Sequence, residues 1–491
     1  MPGGHEQERP TAPSIEGVTR VSHARRTFLR AAFTLTAGAT LFGCDPPASR
    51  DRQLPSASDQ LGARPPTPSE AGKPVEVKPQ PRLVQRPFPP TSEPLVRVRF
   101  ATVRAPQRVV RIEGEGSRVL VSAGDGSPTK AVRLPATIEA TFGGWVVTEA
   151  AAGGSSAMHQ FVTQSIEVRP ESGAKGVRVA KSIADCGSLP WGFRCVARTD
   201  EAVGAFDLVS HVPMEQYLPG VLAKELYSTW SLETFTSQAI AARSFACCEI
   251  AQSQNSHFDV VAGEASQAWI GVTTHKASLE AVRRTRGMLL LWDKRVVPAY
   301  YSSTCGGRPA NASDAITGDE FNTIAPLQVG SDMVRECCKN APAWRWKLTL
   351  PLAEASKRIQ LWARTERPAM ARIDGLRGIE IAASNAAGRP VTFRLLDAKG
   401  QTFEIPAERF RWALNADVEG LPTVKSRVKS ADFVAAVTGS SVTLNGRGFG
   451  HGVGMCQYGA EALSKQGRTW REILSRYYPG TEIFATYEAR V

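Results

Sequence analysis

From Leu95 the chain reads LVRVRFATV, apolar and charged residues in alternation, which is the period of a half-buried strand. RVVRIEGEG, SRVLVSAG and GWVVTEA repeat that rhythm between Gly-rich turns, so residues 95–212 read as mainly antiparallel β. At 213 the pattern changes. PMEQYLPGVLAKELYSTW has helical spacing, but Pro219 should break or kink it. Ser231 is then a fitting N-cap for LETFTSQAIAARSFACCEIAQ, where Leu232, Phe235, Ala239, Ala242 and Phe245 form one buried stripe. VTTHKASLEAVRRTRG reads as helix, and MLLLWDKRVVPAYYSST as two strands of a hairpin. Residues 340–491 return to strand-like runs (WRWKLTL, GIEIAAS, VTFRLLD) with a helical piece at PLAEASKRIQLWAR. They close on the cleanest helix, where Thr469-Trp470-Arg471-Glu472 forms a capping-box pattern and Pro479-Gly480 a stop. The predicted class is α+β, with antiparallel β-rich regions around a helical segment at 213–339.

Upstream of Leu95 no such periodicity exists. Residues 45–94 are rich in Pro and poor in large apolar side chains, the composition of a disordered tether. Before them, HARRTFLR carries a twin-arginine pair, and AAFTLTAGATLFG ends at Cys44. That apolar run is too short to span a bilayer permanently and reads as a Tat-type export signal within residues 1–44. LFGC resembles a lipobox, which makes Cys44 the expected lipidation site and places the protein at the cell envelope or periplasm, with a lipid anchor as its only membrane contact. A cleaved signal with a chance cysteine is the alternative.

Charge and cysteine content narrow the partners. The 491 residues carry a net charge of +12, which favours anionic surfaces and polymers. The basic residues are scattered, so nucleic acid is not an expected partner. Nine cysteines in an exported chain point to disulfides. Cys186 and Cys195 flank a turn that suits a local staple, and Cys305 with Cys337 or Cys338 is a longer closure. No cofactor is expected. Cys305, Cys337, Cys338, His257 and His451 supply zinc-ligand types, but without the tight spacing of a zinc motif.

Three stretches could carry chemistry. Glu225 lies between Leu222 and Leu226 and ahead of Trp230, and a carboxyl in an apolar pocket can act as a general acid near neutral pH. A surface glutamate paired with Lys224 is the plainer alternative, and Glu215 and Glu233 could equally be surface residues. YYSSTCGGRPANASDA suits a polar groove for a hydroxyl-rich ligand, with Tyr301 and Ser303 at its start; Asp259, Ser266, Gln267 and Trp269 could line the same groove. Finally, GRGFGHGVGMCQYGA, Gly446–Ala460, places glycine at alternate positions. As an extended strand it would show one bare backbone face, open either to tight packing or to a ligand.

Taken in order, VPMEQYLPGVLAKELYSTWSLETFTSQAIAARSFA, SQAW, YYSSTCGG and GRGFGHGVGMCQYGAEAL resemble the stage II sporulation protein D / amidase-enhancer family over roughly residues 95–485. The sporulation member of that family is a lytic transglycosylase that cuts peptidoglycan glycan strands stripped of stem peptides and leaves 1,6-anhydro ends. Relatives are named for enhancing a cell-wall amidase. The resemblance implies that Glu225 is the catalytic glutamate, that glycan strands are the substrate, and that a cell-wall amidase is a possible partner. Arg243, Gln267, Tyr301 and Ser303 are then candidate substrate-binding residues. His451, Gln457 and Tyr458 would contact substrate or position Glu225. Three positions depart from the family pattern: Cys456 where serine is usual, Tyr227 where proline is common, and Ala268-Trp269 in place of a Val-Tyr type pair.

Overall fold

The computed structural model describes residues 85–487 except 105–106, 115–117, 125–126, 151–155, 199–203, 317–319, 330–336 and 419. The export signal, Cys44 and the tether up to residue 84 lie outside the described residues. The last residues of the Pro-rich stretch do not behave as a tether. Arg86 donates to the Trp292 and Arg295 carbonyls, and Glu93 accepts from the Glu215 backbone and pairs with Arg286.

Two sheets form the β-rich part. Leu95–Val103 buries Val96, Val98 and Phe100 on one face, as its alternation predicts, and pairs antiparallel with Phe206–Pro213. These two strands sit within a seven-stranded sheet, antiparallel except where Leu95–Val103 meets Val260–Val261. The second sheet has five strands, including Val109–Gly114 and Gly144–Glu149. Their inner faces share one core, in which the Trp145 ring of the second sheet meets Phe206 of the first edge-on at 5.2 Å.

Helix α1, Met214–Glu225, runs through Pro219 without a break. Proline forfeits one backbone bond, but Tyr217, Leu218, Val221 and Leu222 have no exposure at all, and that packing holds the helix together. Helix α2, Leu232–Gln252, is buried far more widely than one stripe: Thr234 through Cys248 are all inside. It is the central rod of the molecule, which explains its small residues. Ser231 stands at its N-cap, yet the cap itself comes from elsewhere. The Glu461 carboxylate accepts from the Ser231 backbone, the Ser231 hydroxyl and the Thr234 hydroxyl, putting an anion on the positive end of the helix.

The predicted hairpin is shorter than expected. Met288–Trp292 pairs with Arg295–Val296 through a turn in which Asp293 and Lys294 both take positive φ (51° and 57°). Tyr301–Ser302 instead lies parallel to Met455–Cys456. Residues from Trp346 to Leu444 build a separate core, where Phe393 and Phe433 stack at 4.7 Å. The stretch 340–491 is therefore not one packing unit. After Gly446 the chain returns to the centre: Ile473 and Leu474 of Trp470–Tyr477 join the core of Ile240 and Leu290, and Glu482–Ala485 pairs with Met288–Leu291. The capping box forms as read, with Thr469 and Glu472 bonded reciprocally.

Candidate active site

Glu225 is the last residue of α1, so its side chain leaves the helix where the chain turns away. It is half-buried. Oε1 accepts the Ala268 backbone N–H at 2.8 Å, and Oε2 accepts Gln457 Nε2 at 3.1 Å. Two distant segments thus orient one carboxylate. Gln457 opens the helix Gln457–Lys465, whose Glu461 caps α2, so the cap also sets where Gln457 points.

Behind the carboxylate lies a closed polar relay. The Tyr217 hydroxyl donates to Gln267 Oε1 at 2.9 Å, and Gln267 Nε2 donates to the Tyr301 hydroxyl at 2.9 Å and to the Ala242 carbonyl at 3.2 Å. Burial, and after it the Glu225 charge, push both phenols well above their usual range, so they stay neutral hydrogen-bonding groups. Gln267 has no exposure, so it braces the Ala268 loop from within rather than facing solvent. Beside the carboxylate, the rings of Tyr227, Trp230 and Tyr458 pack mutually at 5.0–6.0 Å and remain partly exposed. Trp230 and Tyr227 were not among the expected binding residues. Their signal was available, as aromatics two and five positions after Glu225.

The glycine-rich stretch is not an extended strand. Gly448, Gly450, Gly452 and Gly454 have φ of 77°, 95°, 79° and 64°, a string of left-handed turns that an alternating pattern also produces. The bare side faces protein. A Cβ on Gly448 would lie 2.6 Å from the Thr304 carbonyl oxygen, and one on Gly454 2.1 Å from that of Tyr300. Residues 300–304 and 449–455 are joined by backbone bonds between Thr304 and Phe449 and from Met455 to Tyr300. Of the two readings of the bare face, packing is the one realised. Gly454→Ala is therefore expected to destabilise the fold by about 2–3 kcal/mol from left-handed strain and the clash, measurable as a lowered urea midpoint at unchanged m.

His451 sits inside this stretch. Its Nδ1 accepts the Val453 N–H at 3.0 Å, and it packs edge-on against Tyr300. Burial holds its pKa down to about 4. These contacts set the ring against the Tyr300–Tyr301 segment. A folded-state pKa below the unfolded value means that protons bind preferentially to the unfolded chain. The His451 contribution is thus complete above about pH 6.5 and is lost as pH falls toward the folded value. Urea melts between those limits should show a steeper loss for the wild type than for His451→Gln; equal slopes would remove this group from the acid response.

Arg243 is not at the site. Its side chain is fully buried, and its Nε and Nη2 bond both Glu215 oxygens at 2.8 and 2.7 Å. Its guanidinium is thereby committed inside the core. Glu215 and Glu233 are not free surface residues either, since Glu233 accepts the Trp470 N–H at the start of its helix. The Ser303 carbonyl accepts the Tyr458 N–H, which ties the Tyr/Ser loop to the aromatic group. Asp259 is held by Arg97, the Ser266 hydroxyl accepts from Val261, and Trp269 packs on Tyr217.

The Cys186–Cys195 staple does not form: both sulfurs are free and buried in the core of the β-rich part. Burial pushes the Cys186 thiol up to about 12 and Cys195 further still, as expected of inert thiols. The zinc-type set with histidines does not assemble, since His257 bonds Asp207 and His451 bonds Val453.

What these elements define is an α+β protein with a candidate site centred on one carboxylate, both of whose oxygens are held. Residues 202–292, which include Glu225 and Gln267, match the family model described as Stage II sporulation protein. The match supports the resemblance of this chain to the stage II sporulation protein D / amidase-enhancer family that its motifs implied. It is 27% identical to an uncharacterized protein of Brachyspira hyodysenteriae over 278 residues, 56% of this chain and 68% of that one. It is 26% identical to stage II sporulation protein D of Bacillus subtilis over 291 residues, 56% of this chain and 75% of the relative. The amidase enhancer of Bacillus subtilis is 25% identical over 297 residues, 54% of this chain but 40% of its own length. These relatives point to a cell-wall role. Among the described residues no helix is long and apolar enough to cross a membrane.

Proposed function

We propose that this chain cleaves peptidoglycan glycan strands by lytic transglycosylation, with Glu225 as both acid and base. The observation that carries the reading is the Glu225 carboxylate itself, fixed by Ala268 N–H and Gln457 Nε2 beside the Tyr227–Trp230–Tyr458 aromatic group. Aromatic faces are good partners for sugar rings, and a fixed carboxyl is the group that glycosidic cleavage needs. Other carboxylates of these motifs are occupied: Glu215 by Arg243, Glu233 by the Trp470 N–H, Asp259 by Arg97, Glu461 by the start of α2.

One carboxyl is enough for this reaction. Glu225 gives its proton to the glycosidic oxygen as the bond to C1 breaks and an oxocarbenium-like state forms. It then takes the proton of the sugar's own C6 hydroxyl, whose oxygen bonds to C1. The glutamate ends protonated, as it began, and no water is consumed. An attacking group within the substrate brings the reacting atoms together without ordering a water.

The twin-arginine segment and Cys44 would deliver the protein to the envelope and anchor it by lipid, and the net charge of +12 suits an anionic wall. The match to an amidase enhancer favours a second reading, in which the chain binds the wall and stimulates an amidase without cutting. Purified protein incubated with denuded glycan strands decides between them. Anhydro-ended muropeptides by mass spectrometry are expected. Sacculus binding with no such product, and a raised amidase rate, would support the activator.

A further inference from the structure

Among the described residues, the one group of three potential metal-ligating side chains is Cys305, Cys338 and Cys456, whose sulfurs all lie within 4.8 Å of one another. We propose that these three thiolates bind one zinc-class divalent cation, a clip that locks the segments behind Glu225 together.

The spacing is the first argument. Cys305 and Cys338 are 3.6 Å apart, sulfur to sulfur. Zinc–sulfur bonds of about 2.3 Å in a tetrahedron set sulfurs roughly 3.8 Å apart, whereas a disulfide needs about 2.0 Å. The backbone is the second. Gly306 and Gly307, with φ of 66° and 83°, curl the chain just after Cys305. The Thr304 hydroxyl accepts the Gly306 N–H, fixing that curl. A loop fixed in this way holds its ligand in place before the metal arrives. Burial is the third: Cys338 and Cys456 are each 3% exposed, so the sulfurs face each other rather than solvent.

Three soft thiolates select zinc over magnesium or calcium. Binding forms three sulfur–metal bonds and releases the thiol protons to solvent; a water completes the tetrahedron. The ligands come from three separate regions of the chain, so no short motif announces them. The third ligand, Cys456, is the position at which this chain departs from the serine of the motif it resembles. Cys456 directly precedes Gln457, the donor to Glu225, and its thiol also reaches the Ser303 carbonyl. The clip therefore supports the site without touching substrate, and it stands whether or not the chain cuts glycan.

The test uses the full chain, purified without chelator or reductant. Elemental analysis should give about one zinc per chain, and cobalt(II) exchanged into the protein should show a sulfur-to-cobalt charge-transfer band. Cys456→Ser, which installs the residue usual in the motif, should lose both, while Cys186→Ser should keep both. Chelation should lower the melting temperature of the wild type and leave that of Cys456→Ser unchanged. Metal-free protein with all three thiols titratable would overturn the proposal. So would a Cys305–Cys338 disulfide in peptides mapped without reduction.

Discussion

Glu225→Gln should lower anhydro-product formation by about 10³–10⁴-fold, the upper range for a general acid–base group, because one side chain serves both proton transfers. Glutamine keeps the shape of the side chain, and its carbonyl oxygen can still accept the Ala268 N–H. Its amide cannot give an acid proton to the glycosidic oxygen or take one from the C6 hydroxyl. On the other side the new NH₂ meets Gln457 Nε2, which can turn its own carbonyl to accept. Melting curves and sacculus binding should accordingly stay close to wild type, so that the loss is chemical rather than structural. Product at the wild-type rate would place the acid elsewhere. Equal inactivity of both proteins, with wall binding retained, would leave the activator reading standing.

Arg243→Met should destabilise the fold by about 3–5 kcal/mol, the cost of leaving a buried charge without its partner. Glu215 accepts Arg243 twice, the Tyr487 hydroxyl at 2.6 Å and the Gly287 N–H at 3.4 Å, in surroundings that exclude solvent. Removing the guanidinium strands the carboxylate. The double variant Arg243→Met/Glu215→Leu removes both charges and should recover most of the loss, because apolar replacement of a whole buried pair is nearly neutral. Urea unfolding of the two variants reads this directly. A substrate-binding arginine would behave in the opposite way, with KM raised and stability unmoved.

The strands and the capping box were legible because each is written locally, in a period of two or in a Thr-x-x-Glu spacing. Glu225 and its helix were legible because the surrounding motif is contiguous. Alternation of glycine, however, does not say whether the chain is extended or turns left-handed at every second residue. That choice is made by residues 300–304, which lie far away in sequence and fill the bare side. Arg243 looked available because an arginine in an alanine-rich helix has no visible partner; its partner is on α1, 28 residues earlier. Pro219 failed to end a helix because long-range burial of α1 outweighed one lost backbone bond. The tri-cysteine group was invisible for a related reason, since no two of its members are close in sequence.

Glu225 and Gln457 are 232 positions apart, and Tyr487 and Glu215 are 272 apart. The separate core of residues 346–444 lies between the two halves of the site in the chain. During synthesis, therefore, the second oxygen of Glu225 gains its donor only after a further 232 residues have been made. A chain released or nicked before residue 457 carries the carboxylate without that donor and without the final strand that closes on Met288–Leu291.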